Sequence, residues 1–121
     1  DYARAITIIH GIGRRLGAFF QKFDLLLSPV LAEPPLPIGA TDMMGNDLEV
    51  YLDRLYRLIP FTPWFNASGG PAVSLPLHWT KDGLPVGVQL GADIGNEAPL
   101  FRVSSQIEAA KPWRGRRPPL A

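Results

Sequence analysis

No cysteine occurs among the 121 residues, which excludes a disulfide framework, a thiolate nucleophile and thiolate metal sites, and fits a reducing compartment. Histidine is nearly absent as well. His10 and His78 have no third ligand at a usable spacing, so no metal site is expected. No apolar run approaches a membrane span, and with a formal net charge of +1 the balance does not point to nucleic acid or to an anionic membrane. A soluble, cytoplasmic protein is the expectation. Internal repeats and low-complexity tracts are missing too, while the apolar fraction of 46% is ordinary for a folded domain.

What the chain does contain is organised around residues 60–91. Thr62 suits a helix N-cap and Pro63 the first helical position, where a missing backbone donor is harmless. Gly69 and Gly70 allow a left-handed exit, and Pro71 forbids continuation. Two apolar runs follow, Ala72 to Leu77 and Val86 to Leu90, joined by a turn at Lys81-Asp82-Gly83. Both are too apolar for strands with a wet face, so both faces of this hairpin are expected to be covered within a larger α/β body, with apolar faces of the hairpin strands and of the first helix left uncovered in this chain alone.

The flanking segments read in order. Over residues 1–23 the residues Ile6, Ile9, Ile12, Leu16, Phe19, Phe20 and Phe23 share one helical face, opposite Arg4, Arg14, Arg15 and Lys22. Gly11, Gly13 and Gly17 each cost that helix about 1 kcal/mol relative to Ala, so it needs tertiary docking. The chain opens on Asp1-Tyr2-Ala3-Arg4, without an initiating Met, and enters the helical pattern at once, which suggests a cut. Residues 24–29 predict a short buried strand. Residues 30–46 form a proline-rich loop, read as wrapping the surface with Leu36 and Ile38 turned inward. Asn46 and Glu49 make a capping box for a helix over 47–59, closed by Pro60. Asn96 caps a last helix over 96–110 with Leu100, Val103, Ile107 and Ala110 on one stripe, and residues 111–121, including Arg114, Arg116, Arg117, Pro118 and Pro119, read as a frayed basic tail.

Two series of residues carry a family resemblance. Asn66-Ala67-Ser68-Gly69-Gly70-Pro71-Ala72-Val73-Ser74-Leu75-Pro76 and Gly83-Leu84-Pro85-Val86-Gly87-Val88-Gln89-Leu90 resemble the C-terminal block of the amidase-signature hydrolases. Upstream, Asp24-Leu25-Leu26-Leu27-Ser28-Pro29 is similar to a strand of that family, and Asn96-Glu97 with Leu100 to the helix after its hairpin. Within the family, Pro76-Leu77-His78-Trp79-Thr80, Asp42-Met43 and Pro60-Phe61-Thr62 most resemble bacterial amidases that cleave cyclic nylon oligomers. The resemblance implies an α/β fold: about three strands of a mixed sheet, including the antiparallel hairpin, with three or four helices, the whole forming the C-terminal part of a single amidase domain.

It also implies chemistry located elsewhere. The family uses a serine nucleophile, a second serine in a cis peptide and a lysine base, in segments upstream of this block. No catalytic residue is therefore expected here, and the chain alone should be inactive. Ser68-Gly69-Gly70 imitates such a segment, but Lys22, Lys81 and Lys111, the only lysines, sit in surface contexts, so Ser68 reads as structural. By resemblance, Ile59, Phe61, Thr62 and Asn66 are the candidates for shaping the substrate pocket; as plain structure they are core, cap and loop-bonding residues. Asn66-Ala67-Ser68 also forms a glycosylation sequon, discounted because the element was expected to be buried.

The reading is thus the C-terminal segment of a metal-independent amidase acting on a small-molecule, non-peptide carboxamide. Its partner is the missing N-terminal part of the same enzyme, with homodimerisation of the intact enzyme left open. The rival is a stand-alone α+β binding or structural module without catalysis.

Overall fold

The computed structural model describes residues 1–45 and 47–117. In order the elements are α1 (Tyr2–Phe20), β1 (Leu26–Pro29), α2 (Leu48–Leu58), α3 (Pro63–Ser68), β2 (Ala72–Trp79), β3 (Pro85–Gly91) and α4 (Glu97–Ala110). The strands form one sheet in the order β1-β3-β2. Every pairing is antiparallel, so within the described residues the expected mixed sheet is antiparallel throughout. The α/β class and the hairpin stand.

The hairpin turn forms where expected because Gly83 takes φ 82°, a conformation that costs an L side chain strain but not glycine. Thr80 closes it. Its N–H donates to the Leu84 carbonyl at 2.9 Å, and its hydroxyl accepts from the Leu84 N–H at 3.0 Å. On the other side of the sequence, β1 reaches β3 from far away, with Leu27 opposite Leu90 and Ser28 opposite Gln89.

A small core lies on one face of the sheet. Leu75, Leu90, Ala92 and Leu100 are buried, with Leu25, Val73, Leu77, Val103, Ile107 and Trp113 packed around them. Leu100, Val103 and Ile107 of the stripe expected on α4 are therefore the face it lays on the sheet, while Ala110 is exposed. Ser104, also on α4, leaves its buried hydroxyl without a partner.

The opposite face is covered in two places. Phe65, 6% exposed, lies directly over Gly91, where an added Cβ would stand 1.8 Å from the ring. Val30 presses on Gly87 in the same way, at 2.8 Å from such a Cβ. Between these two points Ser28, Gln89 and Ser74 stand in register across the three strands, and the Gln89 amide, 5% exposed, donates to the Ser28 hydroxyl at 3.1 Å.

Within this chain the hairpin is covered only in part, in line with the expectation that it is the inner part of a larger body. β3, the central strand, is half-buried or buried from Val86 to Gly91, but β2 alternates, with Ala72, Ser74 and His78 exposed. An edge strand with only one face under α4 leaves its other residues to solvent. Leu27 on the other edge is 66% exposed.

The first helix is likewise left uncovered, as expected, while several local expectations shift. None of the apolar residues of α1 is buried; the helix touches α3, where Gly13 faces Ser68 with room for a Cβ at 3.7 Å from the Ser68 Cα. Helix α2 is capped by Asp47, whose carboxylate accepts from the N–H groups of Glu49 and Val50, each at 3.0 Å; Asn46, the expected cap, lies outside the described residues. The proline-rich loop is tied to α2 by Ala32 N–H to the Leu58 carbonyl and by the Arg54 guanidinium to the Ala40 carbonyl. That tether, with the turn from Pro37 to Ala40, sends Ile38 outward rather than inward, fully exposed. Leu36 is half-buried. Within the expected tail, Lys111, Trp113 and Arg116 contact the hairpin and the core, as described below; Pro118 and Pro119 lie outside the described residues. No helix among the described residues is long and apolar enough to cross a membrane.

Candidate functional site

The candidate pocket residues all fall on the link from α2 into α3. Ile59 ends α2 with φ −117° and ψ 48° while its N–H still donates to the Leu55 carbonyl. Pro60 explains the break, since its ring disfavours helical geometry in the residue before it. After Phe61, half-buried, Thr62 stands at the N-cap of α3 and Pro63 is its first residue, as expected.

Thr62 is already helical (φ −70°, ψ −33°) and its hydroxyl makes no capping bond. Asn66 is exposed, which also corrects the expectation that the sequon is buried. Four residues apart on a helix, Thr62 and Asn66 share a face. Phe65, three residues after Thr62, points to Gly91 and so stands beside that face.

The corner after α3 is tightly built. Gly69 exits in the left-handed region at φ 76° and its N–H returns to the Phe65 carbonyl at 2.9 Å. The Ser68 hydroxyl donates to the same carbonyl at 3.5 Å and accepts from the Gly70 N–H at 3.2 Å. Gly70 itself sits so close to the Ala92 carbonyl that a Cβ would come within 2.9 Å. Ser68 is thus committed to its own turn. Lys81 is exposed in the hairpin turn, and Lys111 donates to the Leu77 carbonyl.

Chemically, the link offers two apolar surfaces, a hydroxyl and a carboxamide. These can bind and orient a small molecule but carry no charge of their own. His10 and His78 are exposed on separate elements, and no group of three potential metal ligands occurs among the described residues.

The grooves of the molecule lie elsewhere. One of about 480 Å³ runs between α1 and the sheet, lined by Ile12, Leu16, Phe19, Leu26 and Trp64 with Arg15 at its rim. Another, of about 340 Å³, is walled by Val30, Leu31, Ser74, Pro76 and Val86. Ile59, Phe61, Thr62 and Asn66 lie together on one connected link and line neither of these grooves. Sequence reasoning overlooked Gln89, although a lone amide inside an apolar strand was the available signal.

Comparison with known proteins adds the wider frame. The family model described as Amidase matches residues 1–101. The Mycobacterium leprae protein AmiC is 39% identical over 110 residues, covering 91% of this chain and 23% of its own length. The 6-aminohexanoate-cyclic-dimer hydrolase of Paenarthrobacter ureafaciens is 40% identical over 103 residues, covering 81% of this chain and 21% of its own length. A solved structure of 6-aminohexanoate cyclic dimer hydrolase superposes with a TM-score of 0.88 at 32% identity, across 98% of this chain and 26% of that one. The chain therefore spans about a quarter of the length of the relatives it matches. Since the family match runs through every strand into α4 and the superposition extends over nearly all of the fold, the chain belongs to the amidase family.

Proposed function

We propose that this chain is the C-terminal portion of an amidase that hydrolyses a non-peptide carboxamide to an acid and an amine without a metal or cofactor, in the cytoplasm. The nucleophilic serine, the relay serine and the lysine base belong to polypeptide outside these residues. The serine oxygen adds to the amide carbon and its proton passes through the relay to the departing amine; water then releases the acid from the acyl-serine. The observation that carries this reading is a family match over residues 1–101 in a chain corresponding to only 23% of AmiC.

The surface supports it. The accessible area is 9304 Å², whereas a compact monomer of 13.3 kDa exposes about 6,500 Å². The excess, roughly 2,800 Å², is far more than the ~800 Å² per partner of a standard protein contact and suits a body covered by the rest of its own domain. The exposed residues include Ile8, Leu27, Leu48, Val50, Tyr56 and Phe101. A stand-alone binding module would have closed over such side chains.

In this reading Ile59 and Phe61 form an apolar wall and Thr62 and Asn66 supply the hydrogen bonds that orient the substrate. The apolar wall favours an aliphatic amide, and the cyclic dimer of 6-aminohexanoate is the first substrate to try, given the relative that carries that name. The test is to co-express the chain with the N-terminal remainder and measure amine release from that cyclic dimer and from simple aliphatic amides. Turnover is expected from the assembled enzyme and none from the chain alone; efficient hydrolysis by the isolated chain would refute the placement of the catalytic groups.

A further inference from the structure

We infer that residues 111–117 form a clasp that holds the outer end of the β2–β3 hairpin shut. This segment begins nearly three helical turns after Phe101, the last residue matched by the family model, and its basic composition alone suggests a loose tail. Three contacts of different kinds tie it down instead.

The first lies at an irregularity of the sheet. Between Pro76 and His78 the register of β2 shifts against β3, so that Pro76 faces Gly87 and His78 faces Val86, leaving Leu77 as the extra residue. A bulge withdraws a residue from the ladder. The Leu77 carbonyl is taken up by the Lys111 ammonium, at the point where α4 ends and the Lys111 N–H still bonds the Ile107 carbonyl. The second contact is Trp113, half-buried against the core cluster of Leu75, Leu90 and Leu100. The third is Arg116. A turn closed by its N–H on the Trp113 carbonyl, at 2.9 Å, brings the guanidinium over the Trp79 ring, 4.1 Å from its centre. Trp79 is paired with Pro85 in the last rung before the hairpin turn.

The arrangement answers a need of the fold. Beyond the bulge, β2 is an edge strand whose partner at the tip, Pro85, has no N–H to contribute. The clasp supplies from outside the bonds that the ladder lacks there. Between it and the tip remains a cleft of about 650 Å³ lined by Trp79, Leu84, Pro85, Trp113 and Arg116, the space that release of the clasp would open to solvent. This inference does not depend on the amide-hydrolysis reading, because it concerns contacts within the chain.

Hydrogen exchange of the complete 121-residue chain, followed by mass spectrometry over peptides covering residues 78–86, tests it. Arg116→Ala should speed exchange at the hairpin tip by about two- to fivefold, the worth of an exposed cation–π contact, with Arg116→Lys in between. Lys111→Met should speed it on the order of tenfold, as expected for a charged hydrogen bond. Exchange along β1 should stay unchanged in both. Equal tip exchange in the wild type and both variants would overturn the inference, and so would a wild-type tip that is unprotected from the start.

Discussion

Replacing Gly91 by Ala tests how α3 is fixed to the sheet. The new Cβ would stand 1.8, 2.1 and 2.7 Å from three carbons of the Phe65 ring, where ordinary carbon contacts are about 3.5–4.0 Å. The ring would have to withdraw by roughly 2 Å, and it has little freedom to do so. α3 is six residues long, and its exit is held by Gly69, Ser68 and the close seat of Gly70 on the Ala92 carbonyl. Gly91 has an ordinary φ, so Ala costs no backbone strain and removes about 0.5–1 kcal/mol of unfolded-state entropy. Against that, overpacking of a tight contact costs about 1–3 kcal/mol, and losing the seat of a buried Phe approaches the 3–5 kcal/mol of its deletion. The net expectation is a destabilisation of about 2 kcal/mol, which for a chain of this length lowers the melting temperature by roughly 8 °C. The assay is denaturant unfolding followed by the fluorescence of Trp64, next to Phe65, with Phe65→Ala and the double variant completing a cycle. Once the ring is gone the Ala at 91 should cost almost nothing, a coupling of about 2 kcal/mol. Gly69→Ala is the contrasting control: it meets no atom but would adopt φ 76°, at a cost of about 1–2 kcal/mol from strain alone. If Gly91→Ala changed stability by under about 0.5 kcal/mol, or if its effect simply added to that of Phe65→Ala, the account of this contact would be wrong.

Ser68→Ala should destabilise the corner after α3 by about 1 kcal/mol through the orphaned Gly70 N–H, yet leave the assembled enzyme active within severalfold; loss of a nucleophilic serine costs about six orders of magnitude, so a collapse of kcat would reassign Ser68. Leu27→Asp, at an exposed position on the sheet edge, should alter the stability of the isolated chain by about 0.5 kcal/mol or less while abolishing assembly with the N-terminal remainder in a pull-down; undiminished assembly would show that this edge is not covered. Thr62→Val and Asn66→Ala should each raise KM by about two- to tenfold, the worth of one hydrogen bond, with kcat little changed. Steady-state kinetics on an aliphatic amide would decide that, and unaltered KM in both variants would remove them from the pocket.

The parts of the fold legible from the residues were those specified within a few positions. Gly83 and Gly69 at positive φ, Pro63 at the head of α3 and the Leu100, Val103, Ile107 stripe all act locally, and each does what its chemistry demands. The parts that were not legible depend on distant partners. The antiparallel pairing of β1 with β3 joins residues some sixty positions apart, and nothing in Leu25 to Leu27 states a direction. The clasp joins Arg116 to Trp79, and a run of arginines beside prolines reads as solvated tail until an aromatic ring is found beneath it. Asp47 and Asn46 are neighbours with the same capping chemistry, so only the backbone decides which one closes α2. The pocket candidates were a different case: they came from resemblance, and the geometry places them on one link without supplying the wall opposite.

Exposure in this molecule also separates what the chain stabilises by itself from what it offers to other polypeptide. Among the described residues β3 is the one strand with neighbours on both sides, and each face of it is engaged from within the chain, by α4 on one side and by Phe65 and Val30 on the other. The glycines at 87 and 91 make the second engagement possible, because any side chain there would hold both groups off. α1 and α2 lack such a seat. α1 meets α3 near Gly13, carries three glycines in its length and buries no residue; α2 is tethered through the proline-rich loop and likewise buries none. Helices like these need tertiary packing, and their apolar stripes, half-buried at Ile12, Leu16, Phe19, Leu52 and Leu55, are only partly covered by contacts inside the chain. A hub that is satisfied locally, carrying helices that are not, is the pattern left when a sheet keeps its own centre and shares its flanks with the remainder of a larger domain.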